Sequence, residues 1–236
     1  MPQKLRCEVV EILDHGEGVY SVFLKPESLA PRFLPGQFLH LALDEYKPGD
    51  FWPDSRTFSI ASPPADRQLL RITYAVKGQF TRRMEKELLS GRLVWVKMPY
   101  GEFIVRTDHN EVCLLAGGTG VTAFTAFLGG LTGESLHMVH FFYGARHPGL
   151  LIYRSVVEEA SQRCPALDVH FLAEEGAEKT DCLPGLITSA TVFRFITDPL
   201  AVTYYLAGPP GMVKALVTDL QQDGVAADQI ITDAWE

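Results

Sequence analysis

The 236-residue chain has little cysteine, a deficit of positive charge and no long unbroken apolar run. Its four cysteines, Cys7, Cys113, Cys164 and Cys182, lie far apart, and no pair has the C-x-x-C spacing of a metal site or redox motif. An iron–sulfur cluster needs clustered thiolates, so this spacing argues against one. Lys and Arg number 21 against 29 Asp and Glu, a formal net charge of −8. That sign argues against nucleic acid or an anionic lipid surface as a partner and leaves a basic protein partner open. The seven histidines (residues 15, 40, 109, 137, 140, 147 and 170) show no metal-ligand spacing with a Cys or carboxylate cluster. His137 and His140 fall on one expected strand at odd separation, hence on opposite faces, and the histidines read as structural or surface residues. No Ser-His-Asp arrangement has local support. There is no apolar signal core near Met1. The longest uncharged stretch, residues 112–133, raises the question of a membrane span. Gly117-Gly118-Thr119-Gly120 and Gly129-Gly130 interrupt it, and a strand, a tight turn and a helix explain it better. No membrane span and a cytoplasmic location are therefore expected.

What is present is a globular composition, 47% hydrophobic, in a chain long enough to build its core without disulfide or metal staples. Such a length suits one large domain or two small ones. The first 106 residues read as β-rich. Short apolar or alternating runs occur at 6–13, 18–25, 37–43, 56–62, 69–76, 93–98 and 103–105, separated by turn residues such as Asp14-His15-Gly16, Pro35-Gly36 and Pro99-Tyr100-Gly101. One helix, 80–89, interrupts them. The spacing predicts a small antiparallel β-barrel. From residue 107 strands and helices alternate. Strands are expected at 111–116, 137–143, 168–172, 202–206 and 229–232, with helices at 121–131, 150–162, 186–191 and 209–222. This alternation predicts an α/β, Rossmann-like parallel sheet covered on both faces. Residues 173–182 are acidic and read as a surface loop.

Four short motifs stand out. In Leu115-Ala116-Gly117-Gly118-Thr119-Gly120-Val121-Thr122 a buried strand enters a glycine turn and a helix leaves it. Glycine lets backbone approach a diphosphate, and the helix start offers free N–H groups; an unliganded tight turn is the other reading. Arg56-Thr57-Phe58-Ser59 puts a phosphate-clamping guanidinium on a strand, with Arg56 and Phe58 on one face and Thr57 and Ser59 on the other. Gly78-Gln79-Phe80-Thr81 opens a helix, where Thr81 is either part of an anion site or a simple N-cap. Gly208-Pro209-Pro210-Gly211-Met212 turns a strand into a helix at the end of the sheet where ligands bind in open α/β folds.

Taken in order, and with Tyr143-Gly144-Ala145-Arg146 between the last two glycine motifs, these residues resemble the ferredoxin–NADP reductase superfamily over nearly the whole chain. The resemblance implies a flavin-binding barrel at 1–106 and a nicotinamide-binding α/β domain at 107–236. It implies that Arg56 pairs with the flavin pyrophosphate and that Phe58 replaces the usual tyrosine against the isoalloxazine ring. It places Ser59 near flavin N5. Thr57, Thr73 and Tyr74 join the cofactor-binding set, while Gly78, Gln79, Phe80 and Thr81 cradle the second phosphate, so FAD is implied rather than FMN. Gly117, Gly118, Thr119, Gly120 and Thr122 would hold NADH or NADPH, with Gly144 and Arg146 further along it. Gly208, Pro209 and Met212 would line its nicotinamide end. Two positions depart from the family pattern: Ala207 stands where a cysteine is common and Asp233 where a glutamate is common. Ser59 and Asp233 are thus the implied catalytic residues. Trp235 is either an aromatic lid over the flavin or an ordinary surface or core tryptophan. Arg146 suits either the 2′-phosphate of NADPH or the adenosine of NADH. The Tyr-Gly-Ala-Arg form is similar to NADH-using reductases of oxygenase systems, which favours NADH. The expected function is hydride transfer from NAD(P)H to bound FAD and electron delivery to a separate ferredoxin or oxygenase component. A reductase of free flavin and an electron-transfer subunit of a larger complex are the alternatives.

Overall fold

The computed structural model of the protein describes residues 2–106, 111–134 and 137–233. The chain forms two compact units, Met1–Ile104 and Val105–Glu236.

The first unit is built from β1 (Gln3–Asp14), β2 (Val19–Pro26), β3 (Phe38–Ala42), β4 (Ser55–Ser59), β5 (Leu70–Ala75) and β6 (Leu93–Tyr100), with α1 (Gln79–Glu87) between β5 and β6. The six strands run antiparallel in the order β4-β3-β6-β1-β2-β5. Period-2 patterning decides which face turns inward. On β1, Leu5, Cys7 and Val9 are buried while Lys4, Arg6 and Glu8 are exposed. Beyond the ends of the ladders, the Ala61 N–H donates to the Arg71 carbonyl at 2.8 Å and the Arg71 N–H to Ser62 Oγ at 3.2 Å. These bonds tie the β4 side to β5 and nearly close the barrel. Helix α1 inserts Phe80 and Met84 into the barrel core beside Leu39, Leu41, Ile72 and Val96. Burying side chains of this kind contributes roughly 1.5–3 kcal/mol each. The Arg83–Asp44 and Arg83–Glu87 pairs, both at 2.8 Å, and Arg92–Glu87 at 3.0 Å are open to solvent, which screens them and leaves them little weight in stability. Apolar burial therefore holds the helix, and the ion pairs orient it. The expected strand at 103–105 does not form. Gly101 adopts φ +95°, and the Ile104 N–H donates back to the Glu102 carbonyl at 2.8 Å instead of across a ladder.

The second unit contains β7 (Val112–Gly117), α2 (Thr122–Gly130), β8 (Val139–Ala145), α3 (Arg154–Arg163), β9 (Leu167–Ala173), β10 (Leu183–Pro184), α4 (Ser189–Phe193), β11 (Thr203–Ala207), α5 (Pro210–Gln222) and β12 (Ile230–Thr232). The sheet is parallel throughout, in the order β10-β9-β8-β7-β11-β12. β7 is central and buried over its whole length, as expected of a strand covered on both faces. One face packs Cys113, Leu115 and Phe142 against Val192 of α4 and Leu216 and Leu220 of α5. On the other, Phe124 of α2 meets Phe141 edge-on at 6.0 Å.

Three local expectations are corrected. The helix expected at 150–162 starts only at Arg154, because Pro148 initiates a separate 3₁₀ turn, Pro148–Leu150. The short helix expected at 186–191 lies at Ser189–Phe193, where Thr188 Oγ1 caps the Thr191 N–H at 3.1 Å. His137 precedes β8, so it does not share a strand with His140. His140 is buried, 3.5 Å from Glu111 and 3.4 Å from Asp168 at the amino ends of the strands. Among the described residues the four cysteines are free and buried, no group of side chains has metal-ligand geometry, and no helix is long and apolar enough to cross a membrane.

Candidate functional site

Each unit carries one cluster of the singled-out residues. In the first unit, α1 begins at Gly78, whose extended backbone (φ −127°) serves as the N-cap. Thr81 is not the N-cap. Its hydroxyl oxygen accepts from the N–H groups of Lys77 (2.9 Å) and Gly78 (3.0 Å), tying the incoming chain to the first turn. A Cβ at Gly78 would meet nothing within 4 Å, so the approach to the turn is open. First-turn N–H groups have no partner within a helix and carry the positive end of its dipole. Arg56 joins them: its guanidinium lies 5.1 Å from the centre of the Phe80 ring, held by the Asp54 carboxylate at 2.6 Å and the Ser55 carbonyl at 2.8 Å. Strand β4 and helix α1 thus place one fixed cation and an anion-binding helix start side by side.

The register of β3 with β4 sorts the remaining residues. Phe58 pairs with Leu39 and Arg56 with Leu41, whereas Ser59 pairs with Phe38 and Thr57 with His40. Directly paired residues share a face, so Thr57 and Ser59 lie on the outer face. There Phe38 stacks on Tyr100 at 5.7 Å and His40 meets the same ring edge-on at 4.9 Å. Burial, followed by the charge of Lys97, lowers the His40 pKa from 6.5. Phe58 packs half-buried against the barrel core, edge-on to Tyr74 at 6.3 Å. Tyr74 is buried and stacked on Tyr20 at 5.5 Å, and burial pushes its hydroxyl pKa upward. Thr73 is also buried, its hydroxyl 2.7 Å from Ser21, which in turn meets His15 at 2.9 Å. Tyr74 thus backs Phe58 on the core face of β5, whereas Thr73, the preceding residue, points to the opposite face toward Ser21. Alternation in residues 37–43 announced Phe38 and His40; only the pairing register puts them on the face of Ser59.

In the second unit the chain steps outward from β7 through β8 and β9 to β10, then returns to lay β11 on the other side of β7. The switch point therefore lies between the carboxyl ends of β7 and β11, where open α/β sheets bind ligands. The glycines there have two jobs. A Cβ on Gly120 would come within 2.5 Å of the Ala207 carbonyl and the Gly208 nitrogen. A Cβ on Gly208 (φ +156°) would come within 3.0 Å of the Gly117 nitrogen, and one on Gly117 would collide with the Met212 sulfur. These three permit two turns to pack backbone to backbone. Gly118 differs: it adopts φ +52° and faces open space. Thr122 is buried and donates its hydroxyl to the Thr119 carbonyl at 2.8 Å, so that donor holds the turn, while Thr119 is half-buried. Gly144 is in register with Gly117 on β8, and Arg146 follows β8 as an exposed residue. Pro209 is exposed at the start of α5. The Asp233 N–H donates to the Leu206 carbonyl at 2.9 Å, which sets Asp233 beside the end of β11. Trp235 lies outside the described residues.

The acidic segment 173–182, expected as a surface loop, contains a 3₁₀ turn at Ala177–Lys179 and is tied back to the end of β8. The Glu174 N–H donates to the Ala145 carbonyl at 3.2 Å and the Glu175 N–H to the Arg146 carbonyl at 2.8 Å. Further along, Arg154 holds Asp181 at 2.6 Å and Glu158 at 2.7 Å, which lowers the Asp181 pKa and fixes the segment to α3.

A glycine crevice at the switch point of a parallel sheet is the geometry in which open α/β folds bind dinucleotides, and the barrel of the same chain sets an arginine against a helix start, a geometry suited to an anion. Both clusters fit their groups: open Gly118 and Gly78 leave room for diphosphates, and both lie at helix starts. Comparison with known proteins agrees. Residues 114–218 match the oxidoreductase NAD-binding domain family. The propane 2-monooxygenase reductase component of Rhodococcus jostii is 30% identical over 248 residues, covering 99% of this chain and 64% of that protein. The flavohemoprotein of Chromobacterium violaceum is 28% identical, over 91% of this chain and 56% of its own length. Among solved structures, the ferredoxin reductase in carbazole 1,9a-dioxygenase superposes with a TM-score of 0.79 at 24% identity, over all of this chain and 70% of that one. A ferredoxin NADP+ reductase from Neisseria gonorrhoeae with bound FAD and NADP gives 0.80 at 17% identity, over 98% of both chains. Residues 114–218 thus match the NAD-binding family, and the chain shares the fold of these reductases. It spans 56–68% of the length of the curated relatives it matches.

Proposed function

We propose that this chain takes hydride from NADH onto FAD and delivers the electrons to a separate redox protein, either an oxygenase component or a ferredoxin. The observation that carries the reading is the switch-point crevice with open Gly118 at its turn, inside the stretch that matches the NAD-binding family. Relatives named as reductase components of propane and phenol monooxygenases and an electron transfer component of anthranilate dioxygenase support the choice of acceptor. Residues 1–106 are assigned to flavin and 107–236 to the dinucleotide. The four buried, free thiols suit a reducing compartment, the cytoplasm.

FAD, when bound, supplies the chemistry of accepting a hydride and releasing electrons singly. The chain supplies binding, orientation and charge. Arg56 and the first-turn N–H groups of α1 neutralise the flavin diphosphate. Phe58 offers an aromatic face in place of a phenol, and Tyr74 supports it edge-on. Gly118 admits the dinucleotide pyrophosphate to the turn at the head of α2, and Met212 with Pro209 borders its nicotinamide end. Ser59 and Asp233 are the polar groups assigned to the reacting ends. Ala207 leaves a methyl group where relatives commonly carry a thiol.

An anaerobic absorbance spectrum tests the reading. Flavin bands that survive desalting and bleach with NADH are the expected result. A colourless protein that oxidises NADH only with added free flavin would overturn it.

A further inference from the structure

Arg56 is not a bare cation. Its Nη1 donates to Asp54 Oδ1 at 2.6 Å and to the Ser55 carbonyl at 2.8 Å. Asp54 stands two residues before Arg56, so along extended chain the two side chains leave on the same side. The approach to β4 is also pinned. Pro53 has a fixed φ, and Trp52 Nε1 donates to Ser55 Oγ at 3.1 Å, bracketing Asp54. Trp52 in turn packs on Tyr46 at 5.4 Å. Both bonds of Arg56 use Nη1. Its Nε–Nη2 edge, which can grip an anion with two parallel bonds, has no protein hydrogen bond among the described residues. A diphosphate can therefore reach Arg56 without moving Asp54, but it meets a pair of zero net charge.

Two effects of Asp54 oppose each other at this site. Orienting the guanidinium favours anion binding, and a carboxylate beside a diphosphate disfavours it. Orientation is already supplied twice over, by the Ser55 carbonyl and by the Phe80 ring, whose centre lies 5.1 Å from the guanidinium carbon. The negative charge has no such substitute. Arg83, the next guanidinium on α1, does not balance it, because Asp44 and Glu87 each hold Arg83 at 2.8 Å. Repulsion therefore outweighs orientation. At contact-scale separation in water one unit charge changes an affinity by about three- to tenfold.

We propose that Asp54 sets the affinity of the flavin site: its carboxylate offsets the charge of Arg56 and loosens the hold on the FAD diphosphate. This rests on the flavin-site reading above.

The test is equilibrium dialysis of the purified protein against FAD, read by flavin fluorescence, at about 0.1 M and about 1 M salt. Between these the screening length falls from about 10 Å to about 3 Å. Asp54→Asn keeps the side-chain shape and removes the charge. It is expected to lower the FAD Kd about three- to tenfold at the lower salt and to lose most of that gain at the higher. Asp54→Glu keeps the charge and is expected to bind FAD as the wild type does. Glu8→Gln removes an exposed acid on β1, three strands from β4, and is expected to change nothing. Unchanged or weaker FAD binding in Asp54→Asn, a gain that persists at high salt, the same gain in Asp54→Glu, or an equal gain in Glu8→Gln would each overturn the proposal. Failure of every protein, wild type included, to bind FAD would overturn the flavin-site reading and the proposal with it. A salt-sensitive gain in a protein whose flavin NADH does not reduce would instead support the proposal and refute the proposed reaction.

Discussion

Replacing Gly120 with alanine adds one methyl group to the back of the dinucleotide crevice. Gly120 has no left-handed backbone requirement, so the effect is steric alone. The new carbon would stand 2.5 Å from the carbonyl carbon and oxygen of Ala207 and from the nitrogen of Gly208, all of them backbone atoms that cannot swing aside. Restoring ordinary contact requires the turns after β7 and β11 to part by roughly 1 Å. Overpacking of this kind costs about 1–3 kcal/mol. In a protein of this size that corresponds to a fall in Tm of about 2–12 °C. Because the same turns frame the crevice, a displacement of this scale is expected to slow flavin reduction by up to about 100-fold. Gly118→Ala separates the two jobs. It meets no atom in the protein, so its stability cost is only the left-handed penalty of about 1–2 kcal/mol, yet it is expected to abolish tight dinucleotide binding. Gly129→Ala, in α2 with open space around it, is expected to gain about 0.5–1 kcal/mol and leave binding intact. Calorimetric melting with NAD+ titration reads all three. A Gly120→Ala protein with the melting temperature and NAD+ affinity of the wild type would refute the reasoning.

Three further outcomes are expected. Arg56→Gln removes a cation beside α1 and should weaken FAD retention by about 10–100-fold, read by flavin fluorescence after dilution; wild-type retention would show that Arg56 does not touch the diphosphate. Stability should decline as pH falls below 6.5, because burial, then Arg71, lowers the His15 pKa and burial, then Lys97, lowers that of His40, so the unfolded chain binds protons first. A second decline should follow below 3.8, where protonation removes the Arg83 hydrogen bonds that depress the Asp44 pKa. Urea midpoints from pH 8 to pH 3 read both steps, and a flat profile down to pH 5 would contradict the first. Cys7, buried and with its thiol pKa pushed up to about 12, and fully buried Cys113 should resist a thiol reagent at pH 8 until the protein is unfolded; modification of either in the native protein, seen by peptide mapping, would contradict their burial.

Much of the architecture was legible because local pattern and tertiary environment agree. Alternation marked β2 and β3, short apolar runs marked β1 and β5, and the apolar run ending in Gly117-Gly118 marked β7 and its turn. Residues whose role depends on a distant neighbour were not legible. Gly117 and Gly118 are adjacent and identical in kind, yet one packs under Met212 and the other faces open space, a difference set by a turn far along the chain. Thr122 looked like a ligand donor, but its hydroxyl is spent on the Thr119 carbonyl. Thr81 looked like a cap, but Gly78 takes that place. β10 is two residues long and shows no periodicity at all. The pairing of Phe38 with Ser59 needs the register, which alternation alone leaves undetermined. Pro148 was a readable stop signal whose consequence, the delayed start of α3, went unread.

The way the two sheets end has a consequence for crowded solutions. An exposed strand edge is a template on which another chain can polymerise. In the first unit the outer strands β4 and β5 are tied together through Ala61 and Arg71, which removes most of that template. In the second, the outermost strands β10 and β12 are only two and three residues long. Among the described residues, the outer strands of both units therefore leave little unpaired backbone on which another chain could add a strand.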